Sequence, residues 1–172
     1  VTSNVNLMEE FVNAHKKTVL KPLGLMGGDG IKIVTLENSS EVLKQVTEKS
    51  SEMVMMQKFI DNVYSGDRRI LLVNGNLPNS VVLRIPPEGD FRGNLAIGGT
   101  AKTEPLNARD IEIANLVKDD LLKEGIYIAG LDIVGGFLTE INITCPTCFR
   151  ELLDQTEENL AKVLIDQLSD IF

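Results

Sequence analysis

Tryptophan is absent from this chain, histidine occurs once, and there are only two cysteines. With His15 as the sole imidazole, set among lysines at the end of a predicted helix, no Ser-His-Asp arrangement can be built. Two cysteines are too few for a disulfide scaffold and suit the cytosol. Aromatic residues make up 5% of the chain, which excludes a stacking platform for single-stranded nucleic acid. Positive charge is also short. Seventeen Lys and Arg against 25 Asp and Glu leave a net charge of −8, the wrong sign for a phosphate-backbone binder. Neither a bilayer-spanning apolar run nor a signal peptide is found, so the expectation is a cytoplasmic protein with no nucleic-acid or membrane partner. A start at Val1 rather than Met suggests a piece of a longer polypeptide.

What is present is an ordinary globular composition, 43% hydrophobic and 24% charged, over 172 residues, enough for one domain or two small lobes. A short helix is expected over Asn6–His15 with Leu7, Met8, Phe11 and Val12 inward, then a strand Thr18–Lys21 stopped by Pro22. The glycine-rich segment LGLMGGDG and a strand Ile31–Leu36 complete a hairpin. Ser39 or Ser40 caps a helix through Lys49 with Val42, Leu43 and Val46 inward. Strands follow at Met53–Ile60, Arg69–Val73 and Ser80–Ile85. Pro86–Lys102 shows no periodicity and reads as a lid. Asn107 caps a helix to Lys123, stopped by Gly125, with Ile111, Ala114, Val117 and Leu121 on one face. Two strands flank Gly135–Gly136, and Thr156 caps a last helix through Ile171 that buries Leu160, Val163, Leu164 and Leu168. Helices and strands mix without strict βαβ alternation, so the fold class is α+β with mostly antiparallel sheet.

The chemistry concentrates in Gly130–Arg150, GLDIVGGFLTEINITCPTCFR. Glu140 and Asn142 share parity and point to one strand face. A three-residue loop puts Asp132 opposite Glu140, whereas a two-residue Gly-Gly turn puts it on the other face. In the first register three oxygen donors converge, as a magnesium ion on phosphates requires. The alternative is an edge hairpin whose acidic face meets water. Gly24–Gly30 is neither a P-loop nor a dinucleotide fingerprint. It is either a backbone cradle for phosphate, with Lys21 beside it, or a flexible hairpin tip. Arg69 and Arg84 share parity with apolar neighbours, so each must meet a carboxylate or a phosphate. Arg92 and Asn94 lie on the lid, within reach of a substrate when it closes. Cys145-Pro146-Thr147-Cys148 is a CxxC, but a thioredoxin-like fold needs strands after it, and a structural zinc needs about four ligands while the only histidine, His15, is far away in sequence.

Taken together, LKPLGLMGGDGI, MMQKFI…GDRRILLVNG, LRIPPEGDFRGNLAIGG and GLDIVGGFLTEINITCPTCFRE resemble bacterial glutathione synthetase, an ATP-grasp ligase, in order and spacing. The resemblance implies an ATP-grasp domain over 1–172 with two lobes and packed helices. A small nucleotide-covering lobe would span about 18–60, a larger catalytic lobe 61–172, and a nucleotide cleft would lie between them. It implies γ-glutamylcysteine and glycine as substrates, ATP, and Mg2+ or Mn2+. Related acceptors, or a non-catalytic ATP-binding module, stay as alternatives. Carried over by residue, Lys21 holds ATP phosphates under a loop of Gly27, Gly28 and Gly30. Gln57, Lys58, Phe59 and Ile60 meet adenine, with Asp67 nearby. Asp132, Glu140 and Asn142 ligate the metal. Arg69, Arg84, Arg92 and Asn94 are catalytic, facing phosphates and substrate carboxylates. Pro146, Thr147, Cys148 and Arg150 line the peptide side. Family chains are nearly twice as long and carry an N-terminal substrate domain, and they generally form oligomers, so a homo-oligomer is expected. Where the family has GGRG, this chain has Gly98-Gly99-Thr100-Ala101, and its position 145 is more often serine.

Overall fold

The computed structural model describes residues 1–25, 27–49 and 53–169, with the side chains at 47–49, 168 and 169 outside that description. The expectations for Met26 in the glycine loop, the end of the last helix at Ile171 and the burial of Leu168 therefore fall outside the described residues. The chain forms two compact units, Val1–Ile60 and Asp61–Phe172.

In the first unit, α1 (Val5–His15) starts where the Asn4 carboxamide accepts from the N–H groups of Asn6 and Leu7. Its buried face is Met8 and Val12, four residues apart, while Leu7 is exposed, contrary to the expected stripe. Strands β1 (Lys17–Pro22), β2 (Lys32–Thr35) and β3 (Val54–Lys58) form an antiparallel sheet in the order β2-β1-β3. Alternation along β1 turns Thr18 and Leu20 inward. Together with α2 (Ser39–Lys49), these elements close a core of Met8, Val12, Leu20, Val34, Leu43 and Val54. Asn38, rather than Ser39 or Ser40, stands before α2. Its carbonyl accepts from Val42 N–H, and its side chain bonds Thr35 N–H and the Ile33 carbonyl.

The second unit is a five-stranded antiparallel sheet, β4 (Asp67–Val73), β5 (Ser80–Ile85), β6 (Thr100–Pro105), β7 (Ile128–Val134) and β8 (Phe137–Asn142), in the order β6-β5-β4-β7-β8. Helix α3 (Ala108–Lys123) covers one face, where Ile70, Leu72, Val81, Ala129, Leu131 and Ile133 meet Ile113 and Ala114. Helices α4 (Phe149–Thr156) and α5 (Leu160–Ser169) cover part of the other, over Leu71, Val73 and Val82. The even and odd residues of β4 thus enter two different cores.

Thr100–Lys102, expected in the lid, begins β6, which pairs with β5. Ile111 is exposed, and Ile113 takes the inward position on α3. Thr156 ends α4 instead of opening the last helix. Its hydroxyl donates to the Leu152 carbonyl, and Asn159 caps α5 by accepting from Lys162 N–H. Val163 is exposed, while Leu160 and Leu164 pack inward.

Candidate active site

The β7–β8 hairpin resolves the two registers in a way neither anticipated. Gly135 and Gly136 form a two-residue turn, with Val134 opposite Phe137 and Ile133 opposite Leu138. Both glycines have positive φ, +57° and +80°, as a primed hairpin turn requires. A regular ladder would then bring Thr139 to Asp132. Instead the register shifts at Asp132/Ile133, so Thr139 is the extra residue and Asp132 faces Glu140. The Thr139 hydroxyl donates to the Asp132 carbonyl at 3.1 Å and pins the bulge. Gly130 pairs with Asn142, so Asp132, Glu140 and Asn142 occupy one face.

That face carries a buried charge network. Asp132, 6% exposed, accepts from Arg69 Nε at its Oδ1 and from Arg69 Nη2 at its Oδ2, both at 2.7 Å. Arg84 Nη2 donates to Asp132 Oδ2 and Arg84 Nε to Asp67 Oδ1, each at 2.6 Å. Arg69 Nη1 reaches the Thr147 hydroxyl at 3.1 Å. The chain of contacts runs Asp67–Arg84–Asp132–Arg69–Thr147, with both arginines 4% exposed. Gly130 makes room for it, because a Cβ there would lie 3.0 Å from Pro146 Cβ and 3.4 Å from Arg69 Nε. Burial pushes the Asp67 carboxyl up, Arg84 pulls it back, and Asp132 adds to the rise. Burial opposes the Arg84 charge, but Asp132 and Asp67 outweigh it and raise its pKa.

The donor chemistry fits a hard divalent cation: two carboxylates and a carboxamide oxygen on one face. Glu140 is exposed, and its carboxylate makes no hydrogen bond or ion pair with any described residue. Three of the roughly four lone-pair positions of Asp132 are occupied, leaving one on Oδ1. Asn142 Oδ1 accepts from Cys145 N–H at 3.2 Å. No three His, Cys, Asp or Glu among the described residues cluster as a metal site, in keeping with a set that has only two carboxylates.

The remaining candidates divide between the two units. In the first, Lys21 is half-buried on β1 opposite Met55, at the start of the glycine segment. Gly27, Gly28 and Gly30 have φ of +67°, +84° and +67°, and space around Gly27 is open. Gln57 and Lys58 end β3, facing Val19 and Thr18. Phe59 is buried under Lys17 Nζ, 3.8 Å from its ring centre, and Ile60 follows. In the second unit, Arg92 pairs with Asp90 at 2.7 Å, and Asn94 opens a 3-10 turn at Leu95–Ile97. Cys145 and Cys148 are free thiols, one exposed and one buried, and burial pushes the Cys148 thiol up, the wrong direction for a nucleophile. Arg150 is exposed and lies 3.6 Å from Asp154.

Two groups escaped the sequence. Arg68, of opposite parity to Arg69, is clamped by Asp110, Glu104 and the Pro105 carbonyl. Asp110 also completes the capping box of α3 with Asn107, a spacing readable in the sequence. Asp90 was the other, missed because a partner two residues away leaves no helical or strand signature.

Two antiparallel sheets with helices packed on them place the chain among the ATP-grasp folds. A solved ATP-grasp ligase, PsnB, complexed with a minimal precursor, is similar with a TM-score of 0.69 at 14% identity, covering 98% of this chain and 53% of that one. D-cycloserine synthetase is similar with a TM-score of 0.73 at 13% identity, covering 95% and 61%. Sequence narrows the class. The family model described as prokaryotic glutathione synthetase, ATP-grasp domain, matches residues 1–157. The glutathione synthetase of Nitrosomonas europaea is 43% identical over 170 residues, 98% of this chain and 53% of that protein. The chain belongs to the prokaryotic glutathione synthetase ATP-grasp family. It spans about half the length of the curated relatives it matches. No described helix is long and apolar enough to cross a membrane.

Proposed function

We propose that this chain is the ATP-using part of a ligase that joins γ-glutamylcysteine to glycine. The observation that carries the reading is Asp132 facing Glu140 across β7–β8, with Asn142 beside them, in a chain of this family. The cysteinyl carboxylate attacks the γ-phosphorus of ATP, giving an acyl phosphate and ADP. The glycine amine then attacks the acyl carbon, loses a proton and expels inorganic phosphate. No protein nucleophile is required, which agrees with a raised Cys148 thiol and a surface His15. The protein contributes positioning and charge neutralisation.

In this reading Lys21 and the backbone of Gly27, Gly28 and Gly30 hold ATP phosphates. Gln57 to Ile60 meet adenine, with Asp67 near the nucleoside. Asp132, Glu140 and Asn142 would hold a magnesium or manganese ion, which would supply charge neutralisation to the phosphates. Arg69 and Arg84 fix the Asp132 carboxylate with their paired N–H groups and direct the rest toward anionic substrate groups. Pro146, Thr147, Cys148 and Arg150 line the side that takes the peptide. The protein acts in the cytoplasm, as a homo-oligomer.

Calorimetry with the magnesium complex of AMPPNP, followed by an ADP-release assay, tests this. Binding, with release that needs γ-glutamylcysteine and glycine together, supports the ligase. Binding with no release under any acceptor supports a nucleotide-binding module instead, and no binding overturns both.

A further inference from the structure

The segment between β5 and β6 holds an arginine whose orientation is set before any ligand arrives. Asp90 Oδ1 accepts from the backbone N–H of Phe91 at 2.7 Å and of Arg92 at 2.9 Å. The same carboxylate takes the Nε–Nη2 edge of the Arg92 guanidinium, with Nη2 to Oδ2 at 2.7 Å and Nε to Oδ1 at 3.1 Å. An aspartate that caps its own turn cannot swing away without losing both backbone bonds, so it is a fixed anchor for the guanidinium. The hydrogen bonds from Arg92 hold the Asp90 carboxyl well below the usual carboxylate range, and it stays ionised at neutral pH.

The turn is also docked against the buried network. A Cβ on Gly93 would lie 2.7 Å from the Arg84 carbonyl and 2.8 Å from Asp67 Oδ2, so only glycine permits this approach. Arg92 therefore stands one residue from the Asp67–Arg84 pair, and through it from Asp132.

We propose that Asp90 is a positioning residue that sets Arg92 to meet an oxyanion of the substrates, a nucleotide phosphate or a peptide carboxylate. The inference rests on the function proposed above and names what orders one of its arginines. A long side chain fixed in advance loses less freedom when its ligand binds. Asp90→Asn separates this role from the turn, because the carboxamide oxygen still accepts the two backbone N–H groups while the charge pair is lost.

The test measures dissociation constants by calorimetry for Mg-AMPPNP and for γ-glutamylcysteine, in the parent chain, Asp90→Asn, Arg92→Ala and the double variant. Asp90→Asn is expected to weaken one ligand by about 2- to 12-fold, the cost of ordering one rotamer-rich side chain on binding. The affected ligand tells phosphate from carboxylate. In the Arg92→Ala background the same change is expected to have no effect. Equal weakening in that background, unchanged affinities for both ligands, or tighter binding would overturn the proposal. A parent chain that binds neither ligand overturns the functional reading itself, and this inference with it.

Discussion

Replacing Arg84 by Met removes the bridge of the buried network while keeping most of its aliphatic stem. Two charge-assisted hydrogen bonds go, to Asp67 and to Asp132. Asp132 keeps both bonds from Arg69, so the damage falls on Asp67. The bond from Arg84 is the one that the Asp67 carboxylate accepts among the described residues. Removing one partner of a buried pair costs about 3–5 kcal/mol. The surviving Arg69 contact puts the expected loss at the lower end of that range, about 3 kcal/mol at pH 7. The loss is also pH-dependent. Burial already holds the Asp67 carboxyl above its ordinary 3.8, and without Arg84 it rises further. A carboxyl with a raised folded pKa favours folding when protonated, and that contribution is lost as pH rises through the folded value. The deficit of Arg84→Met is therefore expected to shrink as pH falls from 7 toward 4. Adding Asp67→Asn should restore about 1–3 kcal/mol at pH 7, the desolvation penalty of an uncompensated group. Tyrosine fluorescence in a urea titration reads the right unit, because the chain has no Trp and both tyrosines, Tyr64 and Tyr127, lie in Asp61–Phe172. A deficit below about 1 kcal/mol, or one identical at the two pH values, would refute the reasoning.

Asn107→Ala breaks a reciprocal cap in which Asn107 and Asp110 exchange two 2.9 Å bonds, and should cost about 1 kcal/mol; an unchanged urea midpoint would contradict the cap's role. Hydrogen bonds from Arg68 hold the Glu104 carboxyl below its ordinary 4.5, so its contribution is present above that value and lost as pH falls through the folded pKa. Glu104→Gln should thus lower stability at pH 7, with a deficit that shrinks as pH falls below 4.5, and a deficit that does not change with pH would count against the pairing.

The strands of both sheets were largely legible, because β1, β4, β5 and β7 carry apolar residues between turn residues. Strand β6 was not, since TAKTEP is an edge segment with half-exposed side chains and offers no apolar alternation. Helix α4 was hidden as well. It starts at Cys148 in a left-handed conformation, φ +86°, without the side-chain cap that marks a helix start in sequence. The parity of Arg69 and Arg84 with buried neighbours foretold that they would meet a partner, and both meet Asp132. Which register the acidic hairpin adopts could not be read, because a bulge adds one residue without altering the pattern on either side. Two expectations that seemed exclusive, a Gly-Gly turn and Asp132 opposite Glu140, coexist through Thr139.

The central claim is that Glu140 stands beside Asp132 to hold a divalent ion on the nucleotide. Glu140 is exposed and unpaired among the described residues, so Glu140→Gln should leave the unfolding midpoint where it is. Electron paramagnetic resonance of Mn2+ with AMPPNP then measures the ion directly. The account predicts a bound ion in the parent chain and an affinity about tenfold weaker or worse in the variant. Equal Mn2+ affinity in parent and variant would contradict it.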